Sequence, residues 1–136
     1  MKILKKLLLL LLFSIILSCS QEEETQEPIS GASFSLDVTN SNSSDYILSG
    51  TDRNGNISGN DPDLAFSVED SIIFFNYTVL PFYIKTKAGT GPDNAISGVI
   101  NNGTTNQNIS WTPSSVGTYY YQCSLHAGMV GTITIQ

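Results

Sequence analysis

From residue 32 onward, apolar residues come in runs too short for helices, and each run ends in turn-forming residues. The runs are Phe34–Val38, Tyr46–Leu48, Leu64–Val68, Ser71–Val79, Phe82–Thr86, Asn108–Thr112, Thr118–Cys123 and Val130–Ile135. They are rich in Ile, Val, Phe, Tyr and Thr, whose branched or aromatic side chains suit a pleated surface. Between them lie NGN, GNDPD, GTGPDN, NNGT and TPSSVG, which combine Gly, Pro, Asn and Asp as turns do. No segment sustains a 3.6-residue apolar period, and no internal repeat is visible. The pattern predicts an all-β Greek-key sandwich of seven to eight strands.

Alternation within one of these strands sets up a chemical question. Side chains at i, i+2 and i+4 share a face. Tyr119, Tyr121 and Cys123 therefore point one way, toward the expected core, and Thr118, Tyr120 and Gln122 point the other. The thiol sits at the strand's inner end, and the loop that follows carries His126 and Met129 before the last strand begins. Each has an ordinary explanation alone: a buried inert thiol, a solvent-exposed histidine, a packed methionine. Three soft donors within seven residues are a more specific signal than any one of them.

The first 31 residues have a different texture. Lys2, Lys5 and Lys6 precede Leu7–Leu17, eleven residues that are apolar apart from Ser14, and Ser18 is small. This is the build of a secretory signal, well short of the ~20 residues a spanning helix needs. Ile16-Leu17-Ser18-Cys19 resembles a bacterial lipobox, which implies removal of residues 1–18 and a lipid on Cys19, against the alternatives of a plain signal cut elsewhere or a short anchor helix. Residues 19–31 then form an acidic tether, SQEEETQEPISG after the cysteine, too polar to bury a core. Its acidic run is also similar, over a short stretch, to the surface-export signals of some Gram-negative lipoproteins. The expected location is extracytoplasmic, on the periplasmic face of a membrane or the cell surface, with the lipid as the only membrane contact.

Cleavage before Cys19 leaves 118 residues, of which 32–136 make one domain. All twelve acidic residues stay, but only Arg53, Lys85 and Lys87 remain of the six basic ones, so the net charge is −9. Such a surface argues against nucleic acid, whose binding depends on neutralising phosphates. With Cys19 lipidated, Cys123 is the sole thiol of the exported domain and has no disulfide partner.

The stretch GTYYYQCSLHAGMVGTITI resembles the penultimate strand, ligand loop and final strand of the cupredoxins, the small blue-copper electron carriers. The likeness extends over most of residues 32–136, and the C-x2-H-x2-M spacing is the short-loop form seen in amicyanin. The resemblance implies a cupredoxin-like sandwich, copper as cofactor, electron transfer without enzymatic turnover, and a redox partner or a copper donor or acceptor. It assigns copper ligation to Cys123, His126 and Met129. The family takes a second histidine from an upstream loop, in a Gly-His-Pro-Phe-type context. Here the matching stretch is Val79-Leu80-Pro81-Phe82, so the non-ligating Leu80 stands at the fourth-ligand position. His126 is the only histidine in all 136 residues, so no realignment supplies another.

Three outcomes are open at this point. Leu80 can fill the vacated space in a metal-free descendant, a binding or adhesion module. The remaining donors can hold Cu(I), which accepts thiolate and thioether at low coordination number. Or a Cu(II) site can be completed by water, a small ligand or a partner's histidine. An immunoglobulin-like domain is the competing fold, since Tyr121 two residues before Cys123 matches the tyrosine-corner spacing. Yet Trp111 precedes that cysteine and the disulfide partner is absent. A catalytic Cys123–His126 pair lacks an identifiable orienting acid or oxyanion donor. Asp52, Asp61, Asp63 and Asp70 fit turn chemistry better than a calcium loop.

Overall fold

The computed structural model describes residues 31–136. The expected signal at 1–18, the expected lipidation site Cys19 and the expected tether up to residue 30 lie outside the described residues. The described residues form nine strands, β1 Ser33–Thr39, β2 Ile47–Asp52, β3 Gly55–Asn60, β4 Leu64–Phe66, β5 Ser71–Asn76, β6 Phe82–Lys85, β7 Asn108–Trp111, β8 Gly117–Cys123 and β9 Val130–Ile135. They form a five-stranded sheet in the order β3-β2-β1-β5-β7 and a four-stranded sheet in the order β4-β9-β8-β6. The chain changes sheet at every connection from β3 to β8, and the result is a two-sheet all-β sandwich, as the sequence pattern predicts. Both sheets are mixed, because β1 pairs parallel with β5 and β4 pairs parallel with β9.

The strand beyond the expected seven to eight is β3. Its sequence, GNISGN, reads as turn material, since Gly, Asn and Ser are all poor strand formers. It forms because β2 templates it through an antiparallel register from Ile47↔Asn60 to Asp52↔Gly55. One Asp52 carboxylate oxygen accepts the Asn54 N–H at 2.7 Å and closes the hairpin. The other accepts the Ala65 N–H at 2.8 Å and ties the hairpin to β4 in the opposite sheet.

Alternation places the core where it is needed. Leu36 and Val38 on β1, Leu48 on β2, Ile72 and Phe74 on β5, Phe82 and Ile84 on β6, and Ile133 and Ile135 on β9 all point between the sheets. Phe82 is the hub at one end of this core. Its ring lies 5.1 Å from Tyr46, 5.1 Å from Phe74 and 5.4 Å from Tyr121, the last nearly parallel at 12°. Aromatic pairs at these separations contribute about 0.5–1.5 kcal/mol each beyond their buried area. Cys123 pairs directly across from Phe82, so the thiol stands at the edge of this aromatic cluster.

Candidate metal centre

The thiol is fixed by β8. Tyr121 and Cys123 share the inward face and are both fully buried, as their alternation requires. Just past the ladder the chain bends. Cys123 N–H donates to the Met129 carbonyl at 3.0 Å, Met129 N–H to the His126 carbonyl at 3.3 Å, and Val130 N–H to the Gly128 carbonyl at 3.0 Å. These bonds fold residues 124–129 into a compact return that feeds straight into β9.

Within this return the chemistry gathers on sulfur. The Leu125 N–H donates to Cys123 Sγ at 3.5 Å, and His126 Nδ1 lies 3.6 Å from the same sulfur. His126 is half-buried, so its ring spans from the thiol to the surface. Met129 is fully buried in the same core cluster as Cys123. A third polar side chain belongs to this end of the core from just before β2: Tyr46 is fully buried, with its ring 5.1 Å from Phe82. Its hydroxyl donates to the Pro81 carbonyl at 2.7 Å. Burial holds the phenol far above its ordinary pKa, with neighbouring Cys123 and the charge of Asp61 acting in the same direction. It therefore stays a neutral donor to that carbonyl. Sequence reasoning missed Tyr46, because nothing local links it to a residue on β8.

Leu80 stands at the same end of the sandwich. Phe82 pairs with Cys123, and continuing that antiparallel register brings Leu80 level with Leu125 in the loop. It has the same parity as Phe82 and Ile84, and it packs against the core cluster that contains Cys123 and Met129. Its backbone is rigidly held. The Leu80 carbonyl accepts from Thr78 Oγ1 at 3.0 Å and from Asn76 Nδ2 at 3.1 Å, and the Leu80 N–H donates to Thr78 Oγ1 at 3.0 Å. Asn76 and Thr78 are themselves buried. Around this end Tyr77, Val79 and Leu125 are exposed, each by more than 60%.

Copper of the blue kind, in its Cu(II) state, asks for two imidazoles and a thiolate. This chain has one histidine, so the residues present do not fit that site. Among the described residues no three His, Cys, Asp or Glu side chains converge, and the further soft donor in this loop is the thioether of Met129, buried in the core cluster that holds Cys123. Thiolate, imidazole and thioether are a set suited to Cu(I).

The turn aspartates do not form a second site. Asp52 caps the β2–β3 hairpin as described. Asp61 accepts the Tyr46 N–H at 3.0 Å, Asp63 accepts from the backbone and hydroxyl of Thr132, and Asp70 accepts from Ala32, Ser67 and Arg53. Each carboxylate is occupied by protein donors, several of them on other elements.

No family model matches the chain, and the comparison with curated proteins yields no match. Solved structures do match. A copper protein, rusticyanin, is 18% identical over 76% of each chain with a TM-score of 0.49. Rusticyanin from Thiobacillus ferrooxidans at 1.27 Å is also 18% identical over 76% of each chain, at a TM-score of 0.46. An amicyanin variant in the Cu(I) state is 26% identical, covering 55% of this chain and 70% of its own, at a TM-score of 0.40.

Proposed function

We propose that residues 32–136 are a cupredoxin-derived copper-binding domain, non-enzymatic, in which Cys123, His126 and Met129 hold Cu(I). The observation that carries this reading is the approach of His126 Nδ1 to Cys123 Sγ at 3.6 Å, with the Leu125 N–H on the same sulfur. An imidazole nitrogen and a backbone donor turned on one buried thiol are the surroundings that favour thiolate ligation. Met129, buried in the same cluster, adds the second sulfur. Bound copper would supply a one-electron centre or a transferable Cu(I) ion. The chain's own part is to hold the thiol dry behind the Tyr46, Phe74, Phe82 and Tyr121 rings, and to leave the His126 edge within reach of solvent.

The partner under this reading is a redox protein or a copper donor or acceptor, meeting the domain at the apolar rim of Tyr77, Val79 and Leu125. The lipobox-like Ile16–Cys19 and the acidic stretch behind it support an extracytoplasmic domain on a lipid tether. The packing of Leu80 against the core favours a second reading, a metal-free module that kept the sandwich.

Competition for Cu(I) against a chromophoric chelator separates these readings. Wild-type protein should hold Cu(I), and Cys123→Ala should lose at least ~100-fold in affinity, since the thiolate is the strongest of the three donors. Unchanged affinity in Cys123→Ala would defeat the copper reading, and no binding by the wild type would favour the metal-free module. With one equivalent of Cu(II), wild-type protein should show no intense blue absorption. Leu80→His should gain it, because Asn76 and Thr78 already fix the backbone from which the new imidazole would project. Blue wild-type protein would refute the role given to Leu80.

A further inference from the structure

Gln122 lies on the outward face of β8, opposite in parity to the core-facing Tyr121 and Cys123. An outward glutamine next to a candidate ligand invites no comment in the sequence. In the structure it is only 1% exposed, because the connection 86–107 between β6 and β7 folds back over this face of the sheet. The bridge from Lys85 to Ala95 and the Ile96 N–H on the Ile84 carbonyl lay that connection along β6.

The buried amide has a specific set of partners. Its Nε2 lies 3.1 Å from each of three carbonyl oxygens, those of Cys123, His126 and Met129. Its Oε1 accepts the Gly89 N–H at 3.3 Å. A primary amide has two N–H groups, so one hydrogen is shared between two of the carbonyls. The three acceptors are the backbones of the three proposed copper donors. Leu125, Ala127 and Gly128 in the same loop make no bond to it.

The far side of the amide is anchored as well. Lys85, on the neighbouring strand and also 1% exposed, donates from Nζ to the carbonyls of Gly89 and Gly91. The Gly91 N–H in turn donates to the Ser124 carbonyl at 2.9 Å, inside the ligand loop. The loop is thus gripped between β8 and a second segment that Lys85 holds down.

We infer that Gln122 is the positioning residue of this centre, whose single amide sets the backbone of all three donors through protein contacts alone. The inference rests on the copper reading above and deepens it. It explains how a centre short of one histidine keeps its other donors in place: their geometry is set from the outer face of the sheet. Metal-site residues that orient ligands in this way typically change affinity about 10–100-fold when replaced.

The test is Gln122→Met, which keeps length and bulk but removes both the donors and the acceptor. Two measurements are made, Cu(I) affinity by chelator competition and amide exchange of the metal-free protein. Ile72→Val, in β5 of the other sheet, serves as a stability control. Gln122→Met should bind Cu(I) at least ~10-fold more weakly, and exchange should speed up at Cys123 and from Leu125 to Met129 while β1 and β5 stay protected. Ile72→Val should lose stability but retain wild-type Cu(I) affinity. Unchanged exchange in the loop of Gln122→Met would overturn the inference. So would faster exchange with wild-type Cu(I) affinity, which would make Gln122 a loop-stabilising residue only. Should wild-type protein fail to take Cu(I), the copper reading falls, and the exchange result still decides whether Gln122 sets the loop.

Discussion

At the scale of single residues, Asp61 is where burial and charge act most visibly against each other. It sits in the left-handed region, φ 41°, at the turn before β4, and its carboxylate accepts the Tyr46 N–H while its own N–H donates to the Tyr46 carbonyl. Partial burial pushes its pKa up to about 6; the Tyr46 N–H pulls the other way, and neighbouring Asp45 adds to the rise. An unfolded aspartate titrates near ~3.9. Between those values the folded state holds more protons than the unfolded one, so stability falls as pH rises through the window and stays low above it. Asp61→Asn keeps the acceptor and removes the charge. Urea denaturation should find the variant about 1–2 kcal/mol more stable than wild type at pH 7, a figure discounted for solvent screening, and level with it at pH 4. Equal stabilities at pH 7 would count against this account. Asp70 acts oppositely: burial raises its pKa, but the Arg53 ion pair and the Ser67 and Ala32 N–H groups outweigh that and hold it low. Its contribution is therefore lost only in stronger acid. At this scale the Cys123–His126–Met129 loop was legible because its members are neighbours in the chain. Tyr46 and Gln122 were not. One joins the aromatic cluster beside the thiol from a distant part of the chain, and the other is buried only because a distant connection covers it.

Among the elements, β9 makes the tightest fit. Gly131 pairs across from Tyr121, and a Cβ there would stand 2.2 Å from the Tyr121 hydroxyl and 2.3 Å from its ring. That ring cannot yield easily, since it stacks on Phe82 and its hydroxyl donates to the Pro62 carbonyl at 2.7 Å. Gly131→Ala should destabilise the fold by about 1–3 kcal/mol, as overpacking does, and should change the near-UV circular dichroism of the aromatic cluster. A neutral result would mean that Tyr121 has another place to go. Eight of the nine strands could be read from composition and alternation, because a half-buried strand writes its period into the sequence. The hairpin partner β3 could not: it owes its shape to β2 and to the two hydrogen bonds of Asp52, and its Gly and Asn residues spell a turn. The covering connection 86–107 had one legible hint, its length, since a loop that long in a small domain generally packs on something.

For the whole molecule, the sandwich class followed from the absence of any helical period, but neither parallel pairing did. Pairings between distant strands leave no local trace. The proposed lipid tether belongs to this scale as well. If Cys19 carries the lipid, Cys19→Ala should leave the domain in the soluble fraction after cell breakage and block incorporation of a labelled fatty acid. Persistent membrane association without label would point to a plain anchor helix. The pairing of β4 with β9, Leu64↔Ile133 through Phe66↔Ile135, joins the middle of the chain to its last residues. Because β9 also supplies the edge on which β8 and its loop are laid, the four-stranded sheet cannot close until β9 is present. Contacts this far apart form slowly and late. A chain that lacks β9 therefore has the cysteine and the histidine but no closed sheet to hold them, and under the copper reading proposed above Cu(I) binding would wait for that strand.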